Sequence, residues 1–187
     1  FTRDTSCWIY NGVSINSMTM PARQRETINY EAIYRWHPLF AGPDFPVWSE
    51  GTQAGPATVE GGDVQIIGNG AVLVGVSERT TAQGIERLAS RLFAGGNVNR
   101  IIAVEMNRTR AQMHLDTVMT MVDVGTFTVY GDLGMLPSLT MRSDGDNRIS
   151  VTRNAPEDMY RVIAQALGVD ELNVLITPQD SMAAARE

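Results

Sequence analysis

The sequence predicts an α/β fold in which one hairpin–helix–strand module recurs around an axis. Strand–turn–strand signals occur three times, each followed by a helical period, and in the second and third cases by an apolar strand run as well. A carboxylate stands just ahead of each hairpin: Arg3-Asp4-Thr5 before Trp8-Ile9-Tyr10, Glu60-Gly61-Gly62-Asp63 before Val64-Gln65-Ile66-Ile67, and His114-Leu115-Asp116 before Thr117-Val118-Met119. Alternating strands and helices by themselves suggest a doubly wound sheet. The repeat argues instead for modules set around an axis, which brings their carboxylates together. A single domain spans residues 1–187, with modules at approximately 1–56, 57–112 and 113–187.

In the first module, Ser6 to Tyr10 reads as a strand, Asn11-Gly12 as the turn and Val13-Ser14-Ile15 as the return. Asn-Gly between apolar runs signals a tight hairpin, because both central residues accept positive φ. Pro21 suits a helix start, where its missing N–H goes unneeded. Ile28, Ala32, Ile33 and Trp36 mark the apolar face of that helix, and His37-Pro38 ends it. In the second module, Val64 to Ile67 turns at Asn69-Gly70 and returns through Val72-Leu73-Val74. Thr80 and Gln83 form a capping box. Ile85, Leu88, Ala89 and Leu92 then share a helix face that Gly95-Gly96 stops, and Arg100 to Val104 follows as a buried strand. The third hairpin runs Val118 to Val122, turns near Asp123 to Gly125 and returns through Phe127-Thr128-Val129. A Gly- and Asp-rich surface loop, Ser143 to Asn147, with short strands on either side, delays its helix. That helix runs from Pro156 through Met159, Val162, Ile163, Ala166 and Leu167 to Gly168, and Leu172 to Ile176 closes the module as a strand.

The composition is that of a soluble globular domain, with 43% hydrophobic and 19% charged residues. The net charge of -6 argues against nucleic acid, which favours a basic face. No apolar run approaches the ~18 residues of a membrane span, and the start resembles no signal peptide. The one cysteine, Cys7, excludes an intrachain disulfide and points to a reducing, cytoplasmic compartment. The chain opens directly in strand-like sequence at Phe1 and reads as a segment of something longer.

Two readings stand open for most of the polar candidates. Asp4 and Asp116, in equivalent places, are either strand-entry aspartates bonded to nearby backbone or a pair of guanidinium ligands. His114 lies two residues before Asp116, and in a strand that spacing puts both on one face. It is either a structural imidazole or an acid–base group beside a bound cation. In Glu60-Gly61-Gly62-Asp63 the glycines permit close backbone approach or positive φ, with one acid facing a ligand and the other bracing a loop, or the segment is an ordinary turn. Arg23 and Arg79 each sit near a helix start, where the macrodipole disfavours a cation, so they are carboxylate binders or surface arginines with acidic neighbours. His37 reads as structural at a helix end, and Cys7 as a buried strand cysteine with no base beside it.

These residues together resemble the arginine deiminase family, within the guanidino-group-modifying superfamily. The matching segments, in the family's order, are Phe1 to Tyr10, Pro21-Ala22-Arg23, Arg25-Glu26-Thr27, Glu60 to Val64, Ile67-Gly68-Asn69-Gly70, Glu78-Arg79-Thr80 and Met113-His114-Leu115-Asp116-Thr117. The Glu-Gly-Gly-Asp element is common to the superfamily. The Phe-Thr-Arg-Asp and Met-His-Leu-Asp-Thr elements favour the deiminase branch. The likeness weakens from about Asp132 to Asn154.

The resemblance implies a five-bladed α/β propeller with L-arginine in its central pore. Asp4 and Asp116 would grip the guanidinium, Glu60 and His114 would flank it, Arg23 and Arg79 would hold the substrate carboxylate, and Phe1 would border the guanidinium. Gly61, Gly62 and Asp63 would support the site. The implied reaction hydrolyses arginine to citrulline and ammonia through a covalent amidino-cysteine, with no metal and no cofactor. The family's nucleophilic cysteine lies beyond Glu187, and Cys7 does not match it. The upstream part, with a helical insertion and a substrate-contacting asparagine, also lies outside the chain. Pro178-Gln179 stands where the family usually carries a glycine pair. The chain is thus expected to be inactive alone and to fold with the missing segments or with copies of itself. A dimethylarginine hydrolase, an amidinotransferase or a non-catalytic arginine-binding module are the alternatives.

Overall fold

The computed structural model describes residues 2–49, 51–146 and 148–177. The chain opens with a single helical turn, α1 (Thr2–Thr5), and the hairpin β1 (Ser6–Ile9) and β2 (Gly12–Ile15), followed by α2 (Pro21–Trp36). The hairpin β3 (Val64–Gly68) and β4 (Ala71–Val76), α3 (Ala82–Ala94) and β5 (Arg100–Glu105) come next. Then come β6 (Met119–Asp123), β7 (Thr126–Tyr130), β8 (Ser138–Ser143), β9 (Ile149–Asn154), α4 (Met159–Leu167) and β10 (Asn173–Thr177).

One connection recurs. β3 pairs antiparallel with β4, and after α3 the chain returns as β5, parallel to β4. β6 pairs antiparallel with β7, and after α4 the chain returns as β10, parallel to β7. The first hairpin has the same partner reduced to a single parallel bridge, Val13 to Val47, where Trp48 N–H donates to the Val13 carbonyl at 2.7 Å. The hairpin β8–β9 does not follow this plan. It joins the second sheet, β8 pairing antiparallel with β5, and gives the order β3-β4-β5-β8-β9. This hairpin covers the edge of β5 that would otherwise stand open.

Strands β4 and β5 of the five-stranded sheet are buried on both faces, as their near-continuous apolar sequences require, whereas β9 is largely exposed. Ala71, Leu73, Ile102 and Val104 face α4 and the β6–β7 hairpin, where Met159, Ile163 and Phe127 complete one core. Val72, Val74, Ile101 and Ala103 face α3 and the first hairpin, where Ile85, Leu88 and Ile9 complete the other. Gln65 stitches neighbouring hairpins together, donating to the Met119 carbonyl at 2.6 Å and accepting from Met121 N–H at 3.2 Å. Among the described residues no helix is long and apolar enough to cross a membrane.

Three local expectations are corrected. The Ile28, Ala32, Ile33 and Trp36 stripe of α2 is not its packed face: Ile28 is 56% and Trp36 67% exposed, and the helix's buried residue is Thr27. Polar contacts orient it instead. Thr27 Oγ1 donates to the Asn16 carbonyl at 2.7 Å, and the Tyr34 and Ser6 hydroxyls meet at 2.8 Å. The cap of α3 is Thr81, whose Oγ1 accepts from Gly84 N–H at 3.0 Å; Thr80 is drawn into the preceding turn, and its hydroxyl accepts from Glu60 N–H. In the first hairpin, register pairs Ile9 with Gly12, so the loop is Tyr10-Asn11, with Tyr10 at φ 53°. Gly12 is required by space, since a Cβ there would lie 2.5 Å from the Trp48 ring. The Asn69-Gly70 turn has positive φ at both residues, as the sequence predicts.

Candidate active site

Each carboxylate ahead of a hairpin sits in, or at the start of, one tight helical turn. Asp4 lies in α1, Glu60 precedes the turn Gly61–Asp63, and Asp116 lies in the turn Leu115–Thr117. The three turns pack against one another, the middle one touching both others. Gly61 and Gly62 make this possible. A Cβ at Gly61 would lie 1.8 Å from the Arg3 carbonyl oxygen, and one at Gly62 would lie 2.6 Å from His114 Nδ1. Neither glycine adopts positive φ, so close approach is their reason.

His114 stands at the centre. Its Nε2 is 2.8 Å from Glu60 Oε2, and its Nδ1 is 3.8 Å from Asp4 Oδ1. All three residues are buried, Glu60 completely. Burial pulls the imidazole pKa down, but the hydrogen bond to Glu60 and the charges of Asp63 and Asp4 outweigh it and raise the pKa above its ordinary value. His114 precedes a helical turn that contains Asp116, so the two are not neighbours on a strand face; the turn carries Asp116 round to the Arg3 side. Burial raises the Asp116 pKa, against the lowering effect of Arg3 and His114.

The arginines are engaged by carboxylates of the chain itself. Arg23 Nη1 pairs with Asp4 Oδ2 at 2.9 Å and Arg23 Nη2 with Glu26 at 3.0 Å. Arg79 lies 3.6 Å from Glu60 Oε2 and 3.0 Å from Glu78. Asp116 is held by Arg3. Glu60 Oε1 also accepts from Thr19 N–H at 3.1 Å.

Asp63 braces the assembly from below. Its Oδ1 accepts from Leu115 N–H at 2.9 Å and its Oδ2 from the Ser77 hydroxyl at 2.7 Å. The same Ser77 oxygen accepts from Arg79 N–H and Thr80 N–H. One carboxyl thus ties the turn beside His114 to the turn that carries Arg79. Burial pushes Asp63 up to about 6, the Thr80 and Ser77 hydroxyls and His114 opposing the shift.

Arg3, Thr19 and Ser77 carry no role in the sequence reading. The polar run Ser77 to Thr81 between a strand and a helix was the legible signal for Ser77. Phe1 and Pro178-Gln179 lie outside the described residues. His37 caps the C-terminus of α2 and is exposed. Cys7 is buried, its thiol pushed up to about 11 mainly by burial, which makes it a poor nucleophile.

Asp4, Glu60 and His114 bring ligand atoms within 4.8 Å of one another, a donor set that can hold a cation. Arg23 and Arg79, already on two of those carboxylates, oppose a compact dication there. A planar monovalent cation that accepts two-point pairing suits the set better.

The sequence model of the family described as arginine deiminase matches residues 1–187. The chain belongs to the arginine deiminase family. Solved structures similar to this family member include a dimethylarginine dimethylaminohydrolase in an adduct with 4-chloro-2-hydroxymethylpyridine. It has 18% identity and a TM-score of 0.58, over 98% of this chain and 56% of that one. A mutant DDAH from Pseudomonas aeruginosa complexed with citrulline shares 24% identity at a TM-score of 0.55, over 71% of this chain and 46% of that one. Inosamine-phosphate amidinotransferase from Streptomyces griseus shares 15% identity at a TM-score of 0.56, over 95% and 46%. The arginine deiminase-family chain therefore shares the fold of these enzymes while spanning about half the length of each.

Proposed function

We propose that these residues form the guanidinium-binding and acid–base part of an arginine deiminase, hydrolysing L-arginine to L-citrulline and ammonia. The observation that carries this reading is His114 held between Glu60 and Asp4, with Asp116 in the helical turn that follows, in a chain of this family. The modules at approximately 1–56, 57–112 and 113–187 would be blades of a five-bladed propeller, with these turns at its axis.

Asp4 and Asp116 orient the guanidinium and hold its charge, and Glu60 fixes His114. Arg23 and Arg79 take the substrate carboxylate in this reading, each keeping Glu26 or Glu78 as a second partner. A thiolate attacks the guanidinium carbon; His114, protonated, gives its proton to the departing ammonia and then takes one from the water that cleaves the amidino-thioether. Cys7 does not supply that thiolate, so the nucleophile belongs to a part of the enzyme outside these 187 residues. Further segments of the enzyme, or other copies of the chain, would cover the exposed apolar face of α2, and the enzyme would work in the cytoplasm.

A second reading follows from the structural neighbours: the same turns could hold a methylated guanidinium, or pass an amidino group to an amine. The test is a product assay of the native protein with arginine, dimethylarginine, and arginine plus an amine acceptor. Citrulline and ammonia from arginine alone, lost in His114→Ala, support the deiminase. Faster turnover of dimethylarginine, or acceptor-dependent turnover, replaces it. Citrulline from the purified 187-residue chain would overturn the assignment of the nucleophile.

A further inference from the structure

Each carboxylate that opens a hairpin faces an arginine of the chain: Asp4 with Arg23, Glu60 with Arg79, Asp116 with Arg3. The three arginines are not equivalent. Arg23 and Arg79 each have a second carboxylate, Glu26 and Glu78, that remains when a ligand takes the first. Arg3 combines a fixed backbone with a long, open arm. The turn at Gly61 presses against its carbonyl, while its side chain is 51% exposed. Beside it lies a cavity of about 570 Å3, lined also by Trp8, Tyr30, Gln65 and Met121. The arm has somewhere to go.

We infer that Arg3 is an internal occupant of the guanidinium site, holding Asp116 until a ligand displaces its side chain towards that cavity. This rests on the reading of Asp116 as a guanidinium ligand. The chemistry is like for like, one planar fork of N–H donors replacing another on the same carboxylate. The arrangement also keeps Asp116, part-buried and within reach of the like charge of Asp4, paired with a cation. Displacing Arg3 costs the same for every ligand that takes Asp116, whatever that ligand's charge. A cation that acted only through its field would repel charged ligands and leave neutral ones unaffected.

The experiment is an NMR titration of the native protein and its Arg3→Met variant with methylguanidinium and with methylurea, its neutral counterpart of similar shape. Arg3→Met is expected to tighten both by the same factor, roughly fivefold, which corresponds to about 1 kcal/mol for a part-exposed ion pair. The Arg3 Nε–H resonance of the wild type is expected to move as either probe binds. Tightening confined to methylguanidinium, or an Arg3 resonance unmoved at saturation, overturns the inference. Where both probes bind, Asp116→Asn weakens them and Arg3→Met changes nothing, the inference fails and the arginine reading stands. Where neither probe binds the wild type or Arg3→Met, both fail together.

Discussion

His114 Nε2 and Glu60 Oε2, 54 residues apart in sequence, lie 2.8 Å apart in a buried contact. That hydrogen bond, with the charges of Asp63 and Asp4, outweighs burial and raises the imidazole pKa. The charged imidazole therefore stabilises the fold fully below its unfolded pKa, and this is lost as pH rises through the higher folded one. Glu60→Gln is expected to lower the His114 pKa, so that its protonated form disappears at a lower pH. An NMR titration of His114 reads this directly, and an unchanged midpoint would contradict the assigned role of Glu60.

Asp63 should leave a signature in stability against pH. Its carboxyl is pushed from 3.8 to about 6, chiefly by burial. Between those values the folded chain keeps a proton that the unfolded chain has released, so stability falls as pH rises from about 4 to about 6. The linked loss is on the order of 3 kcal/mol. Denaturant unfolding across this range should show the fall in the wild type and a flatter profile in Asp63→Asn. Parallel profiles would mean that Asp63 ionises normally.

Cys7 should resist chemistry that a catalytic thiol invites. With its thiol pushed up to about 11 and its side chain buried, it carries almost no thiolate near neutrality. Iodoacetamide is expected to label it only on unfolding. Rapid labelling of the folded protein would reopen its candidacy as the nucleophile.

Gly62→Ala puts a methyl 2.6 Å from His114 Nδ1 and 3.0 Å from Asp4 Oδ1. Overpacking of this kind costs about 1–3 kcal/mol. The expected outcome is a lowered unfolding midpoint together with a moved His114 resonance. A variant as stable as wild type, with His114 unmoved, would show that the three turns pack less tightly than described.

The two long helices should answer differently to truncation. Leu88→Ala on α3 removes a buried side chain and is expected to cost about 2–5 kcal/mol. Ile28→Ala on α2 removes a side chain exposed within these 187 residues, whose contacts alone set its cost at no more than about 0.5 kcal/mol; the covering proposed for this face would raise that cost in the native protein. Equal costs in the native protein would mean that another chain or segment covers the outer face of α2.

The hairpins, α3, α4 and the Asn69-Gly70 turn were readable because their signals are local: alternation, a 3.6-residue period, and backbone conformations set by one or two residues. The same local reading failed on α2. There Ile28, Ile33 and Trp36 form a fine apolar stripe, but Thr27 and Tyr34 make the contacts that orient the helix. It also placed His114 and Asp116 on a strand, where the chain instead takes a helical turn.

Local signals along the chain set the order of its hairpins and long helices, and put a carboxylate ahead of three of those hairpins. Packing between modules settled that Gly61 and Gly62 serve close approach, that Asp63 ties two turns together, and which arginine each carboxylate meets. The reason is one of range. A strand or turn is set by neighbours a few residues away, whereas Arg3 and Asp116 stand 113 residues apart and meet only because whole modules pack.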